Sequence, residues 1–219
     1  MTKRVLIVLT SHDRLGDVRS TGYYVPEAAH PWDVFRRAGF EVEVASVRGG
    51  EPPQDGYDPG DPVQAAFVAS PEQRGTHRLA GLDAAPYDAV FYAGGHGTMW
   101  DFPDDEDVQR VAREVYERGG VVAAVCHGPA ALVNVTLSDG THLVAGKRVA
   151  AFTNSEEKAA GVAEVVPFLL ADALVERGAR HEAAPDFEPR VVVDGRLATG
   201  QNPASAGPLA EQVTALLAG

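Results

Sequence analysis

Val121-Val122-Ala123-Ala124-Val125-Cys126-His127-Gly128-Pro129-Ala130-Ala131-Leu132 is the stretch from which the fold is read. A β-branched, apolar run meets a cysteine, then a histidine, then small residues, then a new apolar segment. The order predicts a strand, a sharp turn and a helix, with the thiol at the C-terminal end of the strand. Small neighbours keep such a turn free of clashes, so its side chain can project into a crevice. The positive end of a helix beginning here would lower the thiol pKa, and the thiolate is the reactive form. Cys126 is therefore expected to be an accessible thiolate beside the imidazole of His127. The competing reading is a buried, inert cysteine, the common fate of a free thiol.

Outward from this stretch the pattern repeats. Val5 to Leu9 is a continuous aliphatic run, as in a strand buried on both faces. Glu27 to Ala38 reads as a helix with Trp32, Val34 and Phe35 on its apolar side, Pro31 in its first turn and Gly39 as its stop. Glu41 to Ser46 alternates like a strand, Arg48 to Pro62 is a long Gly/Pro/Asp loop, and Asp88 to Ala93 is a strand. Asp105 to Arg118 is a helix closed by Gly119-Gly120. Strands and helices that alternate imply an α/β fold with a mostly parallel sheet and helices on both faces. Later the rhythm changes. Leu137 to Phe152 reads as a small β excursion around Asp139-Gly140, and Ala163 to Arg177 as a helix. Arg190 to Thr199 is a hairpin turning at Asp194-Gly195, and Ala204 to Leu217 is the last helix. No linker interrupts residues 1–219, so one domain is expected. Sites in such sheets form beyond the C-terminal ends of strands, here after Leu9, Ser46, Ala93 and Val125.

The 219 residues carry 31 acidic against 19 basic side chains, a formal charge of −12, with no basic cluster. An acidic surface repels phosphate backbones, so no nucleic-acid partner is expected. A single cysteine makes no intrachain disulfide, which fits a reducing compartment. The apolar run at the N-terminus is too short for a signal peptide and no stretch approaches a membrane span, so the expectation is a cytoplasmic protein without a membrane partner.

Gly94-Gly95-His96-Gly97 follows the strand that ends at Ala93. Glycines there let the backbone approach a ligand, and the N–H of Gly95 with that of His127 would form an oxyanion hole. The alternative is a plain tight turn. His96 is expected as a polar contact in the pocket, with Trp100 and Tyr23 or Tyr24 as walls. His12, His30, His77, His142 and His181 show no metal-ligand spacing, so neither a metal nor another cofactor is expected. Asn202-Pro203-Ala204-Ser205 reads as an N-cap turn.

Val125 to Pro129, together with Gly94 to Asp101, resembles the ThiJ/PfpI superfamily, which shares the class I glutamine amidotransferase-like fold. Thr21 to Pro31, Phe152 to Glu157 and Thr199 to Ser205 narrow the resemblance to its glyoxalase III and chaperone-like branch. The similarity covers nearly the whole chain. It implies a flavodoxin-like doubly wound sandwich, a homodimer, and a Cys-His-acid triad of Cys126, His127 and an acid after Phe152. Glu156 and Glu157 both stand there, and counting along the branch motif favours Glu157. It also implies a second acid beside the nucleophile, by motif position Glu27, which would be protonated and hydrogen-bonded to sulfur. On its residues alone, Glu27 also reads as a helix N-terminal glutamate favoured by the dipole.

The function implied is glutathione-independent conversion of methylglyoxal and related dicarbonyls to 2-hydroxy acids through a cysteine hemithioacetal, with deglycase chemistry as a related activity. A stress-response holdase chaperone and a cysteine amidase or peptidase are the alternatives. A low-pKa thiol would also suit a redox sensor.

Overall fold

Side chains alternate across seven strands, and each face of the resulting sheet has its own core. The structure is a computed structural model that describes residues 2–219. The strands are β1 (Arg4–Leu9), β2 (Glu41–Ser46), β3 (His77–Arg78), β4 (Ala89–Tyr92), β5 (Val121–Val125), β6 (Val191–Asp194) and β7 (Leu197–Gly200). Their spatial order is β6-β7-β5-β4-β1-β2-β3. All pairings are parallel except the β6–β7 hairpin. Ile7 on central β1 pairs with Val44 on one side and Phe91 on the other.

Odd-numbered β1 residues Val5, Ile7 and Leu9 join Phe91, Ala123 and Val125 in a core under α1 (Val25–Arg37) and α6 (Ala206–Ala218). Leu6 and Val8, with Tyr92 and Ala124, face α3 (Glu106–Glu117) and α5 (Leu170–Glu176). Every residue from Val5 to Leu9 is fully buried because both faces are covered. The order reverses between β1 and β4, so their C-terminal ends flank a crevice. No helix among the described residues is long and apolar enough to cross a membrane.

Local chemistry sets the helix ends. Asp105 caps α3 by accepting from the N–H groups of Asp107 and Val108, and Gly119 ends the turn at φ 92°. Asp61 does the same for α2 (Pro62–Ala69), an element the sequence reading left unassigned.

Several expectations require correction. α1 begins at Val25, so Pro26 occupies the first turn and Pro31 lies in the interior. There Pro31 removes the N–H that would bond the carbonyl of Glu27. The expected helix from Ala163 shrinks to α5, because Pro167 lacks an N–H and disfavours helix at Val166. The segment Leu137–Phe152 carries only the strand Arg148–Val149, beside a single Thr136–His142 bridge. Asp139 closes its own turn on Thr141, and Gly146 at φ 73° turns the chain before a ladder can grow. The last helix starts at Ala206, after a 3-10 turn over Pro203–Ser205.

Candidate active site

Cys126 occupies the sharp turn after β5 with φ 61°, a left-handed conformation that a non-glycine residue rarely adopts. Both flanks fix it there. Its N–H donates to the Gly200 carbonyl at 2.8 Å, and its carbonyl accepts from Phe152 N–H at 2.9 Å. Gly128 is required two residues on, since a Cβ there would lie 2.3 Å from the Tyr92 carbonyl oxygen.

The thiol's surroundings differ from the sequence expectation. The segment after the turn is a 3-10 helix of five residues, Gly128–Leu132, and not an α-helix with a summed dipole. Cys126 is buried, at 4% exposure, so it is not the openly accessible thiolate that was expected. Burial pushes the thiol up, and Glu27 pushes it further.

Glu27 reaches the sulfur from the first turn of α1 and is fully buried. Gly94 makes room for it: a Cβ at Gly94 would lie 2.3 Å from Glu27 Oε2 and 3.0 Å from Cys126 Cβ. Neither Glu27 oxygen has a well-formed hydrogen bond. Burial raises its pKa to about 8, and proximity to the Cys126 thiol and the Gly94 backbone offsets only part of that rise. At neutral pH the carboxyl therefore holds a proton. Its upward push on the thiol exists only while it is ionised; protonated, it becomes a donor to sulfur. The two groups titrate as a pair.

His127 touches the thiol directly, with Nδ1 3.3 Å from Sγ. The turn at Cys126 brings these two sequence neighbours into contact. Nε2 lies 2.8 Å from Glu157 Oε2. Burial and the neighbouring His96 lower the His127 pKa to about 4, against the pull of Glu157. The ring is neutral, and donation from Nε2 leaves Nδ1 as an acceptor facing the thiol.

Glu157 and Glu156 open α4 (Asn154–Ala159) and diverge. Glu157 spans two imidazoles, accepting from His127 on one oxygen and from His96 Nε2 on the other at 2.9 Å. Burial works to raise its pKa, but those bonds hold it down at about 2. Glu156 belongs to a capping box with Thr153 and points to the far side of the helix. His96, His127 and Glu157 offer ligand atoms within 4.8 Å of one another, a set with no signature in sequence spacing. Each of those atoms already shares a proton with a neighbour, so the cluster is complete as a hydrogen-bonded relay.

The Gly95 backbone N–H has no backbone acceptor among the described residues, and that of His127 is directed at the Cys126 sulfur. Gly95, at φ 105°, approaches within 2.4 Å of the Gly22 carbonyl at the position a Cβ would take. Gly95, His96, Cys126 and His127 line a cleft of about 330 Å³ with Tyr24 and Phe152 as walls. Trp100 does not line it. The helical turn Thr98–Asp101 rotates Trp100 away to stack on His12, with ring centroids 5.1 Å apart and planes 3° from parallel. Tyr23 is also absent, buried against Phe67 and Gln73. The sequence reading missed Arg19, Asp55 and Phe187 at the mouth. Arg19 and Asp55 form an ion pair at 2.7 Å across 36 residues, which no local pattern signals.

The profile of the DJ-1/PfpI family matches residues 18–216. Among curated proteins, Glyoxalase 3 of Candida albicans is 36% identical, covering 97% of this chain and 97% of that one. The glutathione-independent glyoxalase HSP31 of Saccharomyces cerevisiae is 34% identical over 93% of each. Among solved structures, glyoxalase III from Candida albicans superposes with a TM-score of 0.91 at 34% identity, covering 98% of this chain and 97% of its own. The Francisella tularensis Rapid Encystment Protein 24 KDa gives 0.94 at 36% identity over 99% of both chains.

Proposed function

The chain belongs to the DJ-1/PfpI family, and from that membership and the setting of its thiol we propose that it is a glutathione-independent glyoxalase of the glyoxalase III type. Methylglyoxal and related dicarbonyls are the substrates and 2-hydroxy acids the products. The observation that carries this reading is the protonated, buried Glu27 beside a cysteine whose other neighbour is the free Nδ1 of a neutral histidine.

His127 Nδ1 takes the thiol proton as sulfur attacks the aldehyde carbon. The C=O π bond breaks, and its oxygen carries the charge toward the Gly95 and His127 N–H groups. Glu27 or His127 delivers a proton to that oxygen, giving the hemithioacetal. Removal of the proton on the same carbon gives an enediolate, and return of a proton to the neighbouring carbon leaves a thioester of the 2-hydroxy acid. Water adds to the thioester, the C–S bond breaks and the thiol is restored. The sum is methylglyoxal plus water to lactate, with no external redox partner. Glu157 keeps the His127 ring oriented throughout. These roles for Cys126, His127, Glu27, Glu157 and Gly95 are supported by their distances and protonation directions. His96, whose edge reaches the cleft, completes the relay through Glu157.

The proposal extends to a single domain acting as a cytoplasmic homodimer, which light scattering on the purified protein tests. The activity itself is tested by lactate formation from methylglyoxal with EDTA-treated protein and no added thiol. Wild type should form lactate and Cys126→Ala should not; equal formation by both would refute the reading.

A further inference from the structure

Phe187 stands where a phenylalanine is out of place. It is the third residue of a β-turn, Pro185–Glu188, closed by Glu188 N–H to the Pro185 carbonyl at 3.1 Å. Its φ is 63°, at a turn position that favours glycine or asparagine. For a bulky side chain this is a strained conformation that the surroundings must hold. The ring is also 53% exposed, so core packing does not account for it.

The surroundings do hold it. Phe187 N–H donates to Glu156 Oε1 at 2.8 Å, and Asn202 Nδ2 bonds both that oxygen and the Glu188 carbonyl. Ser155 Oγ bonds Asp186 Oδ1 at 2.6 Å. Glu156 is fully buried, and its other oxygen is engaged by the Thr153 N–H. A buried carboxylate thus sits at the back of one exposed turn: Oε1 holds the turn directly through Phe187 N–H and indirectly through Asn202, and also accepts from Gln201 Nε2, while Oε2 serves the cap of its own helix.

What the turn presents lines the cleft that holds the thiol. Phe187 lines the same cleft as Cys126, with its ring 6.3 Å from that of Phe152, which in turn lies 4.3 Å from the His127 ring. The cleft's 330 Å³ corresponds to about ten water volumes at roughly 30 Å³ each. A substrate of five heavy atoms leaves most of that empty.

We propose that Phe187 is the wall of an apolar subsite for the substituent on the 2-oxo carbon, held by Glu156 as a positioning residue, so that the cleft prefers 2-oxoaldehydes bearing aryl or branched alkyl groups over methylglyoxal. This rests on the glyoxalase reading for the reacting end of the substrate. The subsite itself is a property of the cleft and can be read without turnover.

Phe187→Gly accepts the backbone angle and deletes the wall; Phe187→Asn is the second variant, since asparagine also tolerates it. Two pairs of probes are compared: turnover of phenylglyoxal against methylglyoxal, and alkylation of Cys126 by 2-bromoacetophenone against bromoacetone, followed by mass spectrometry. In both variants the aryl-to-methyl ratio should fall about tenfold in each assay, in line with loss of an aromatic contact, with no loss of Tm. Glu156→Gln should lower the ratio in the same direction, and adding it to Phe187→Gly should lower it no further. An unchanged ratio, or an equal fall for both members of a pair, overturns the subsite. If wild type converts neither dicarbonyl, the glyoxalase reading fails, and the alkylation ratio still decides the subsite.

Discussion

Glu27→Gln should make the protein more stable at slightly alkaline pH while removing most of its activity. The native carboxyl keeps its proton up to about pH 8, against an ordinary value of 4.5. Between those values the unfolded chain has released the proton and the native chain has not. Stability therefore falls as pH rises through this window, is unaffected below it, and levels off above it. At about 1.4 kcal/mol per pH unit the window amounts to at most about 5 kcal/mol, since local relaxation on ionisation relieves part of it. Against a typical domain stability of about 5–15 kcal/mol this is a large fraction. Glutamine copies the shape of the protonated acid and does not titrate. Urea unfolding of both proteins from pH 4.5 to 8.5 should give curves that coincide at the acid end and diverge toward pH 8, with the variant above wild type. Lactate formation should fall by about 10²–10⁴-fold, the usual contribution of a general acid or base. Parallel stability curves would show that Glu27 is ionised in the native protein, and wild-type turnover in the variant would return it to a structural role.

Three further outcomes follow from the same geometry. Alkylation of wild-type Cys126 by iodoacetamide should depend on pH in two steps, because thiol and carboxyl share their protons, and Glu27→Gln should reduce this to one; identical profiles would separate the two groups. Glu157→Gln removes the charge that accepts from both His127 and His96, so it should lower methylglyoxal turnover by about 10²-fold. Glu156→Gln, which touches neither ring, should lower that turnover by much less, and a larger loss from Glu156→Gln would reverse the assignment. Gly94→Ala places a Cβ 2.3 Å from Glu27 Oε2 and 2.6 Å from the Val125 carbonyl. It should cost about 1–3 kcal/mol by urea unfolding and lower activity with it; an unperturbed, fully active variant would mean that the carboxyl does not sit over Gly94.

The parallel sheet was legible because its strands are covered on both faces, and an uninterrupted apolar run such as Val5–Leu9 leaves few alternatives. The elbow was legible because the order of residue types around Cys126 encodes a backbone bend. Element ends and the thiol's protonation were not. α5 starts late because one proline outweighs an otherwise helical composition. The thiol's environment depends on Glu27, 99 residues earlier, and on burial, neither of which periodicity reveals. Trp100 was misplaced because a motif states which residues are near the site, while one helical turn decides which of them face it. Phe187 carried no signal at all: its turn is strained, and local preference at that position argues for another residue.

The protonation pattern also bears on which cysteine chemistry the site suits. Amide cleavage needs an imidazolium ready to give a proton to the departing amine, and cysteine proteases achieve this by resting as a thiolate–imidazolium pair. Here burial and His96 keep the His127 ring neutral, and the spare proton is stored on Glu27, on the sulfur side of the cleft. Addition to an aldehyde has no leaving amine. It needs a proton taken from sulfur, one given to the new oxygen, and one moved between adjacent carbons. A neutral imidazole on one side of sulfur and a neutral acid close by on α1 supply that traffic without first creating a charge pair in a buried site. The same arrangement keeps Glu157 ionised, stabilised by two donors. A neutral dicarbonyl therefore enters without displacing a counter-ion, which favours carbonyl chemistry over peptidase or amidase chemistry at this elbow.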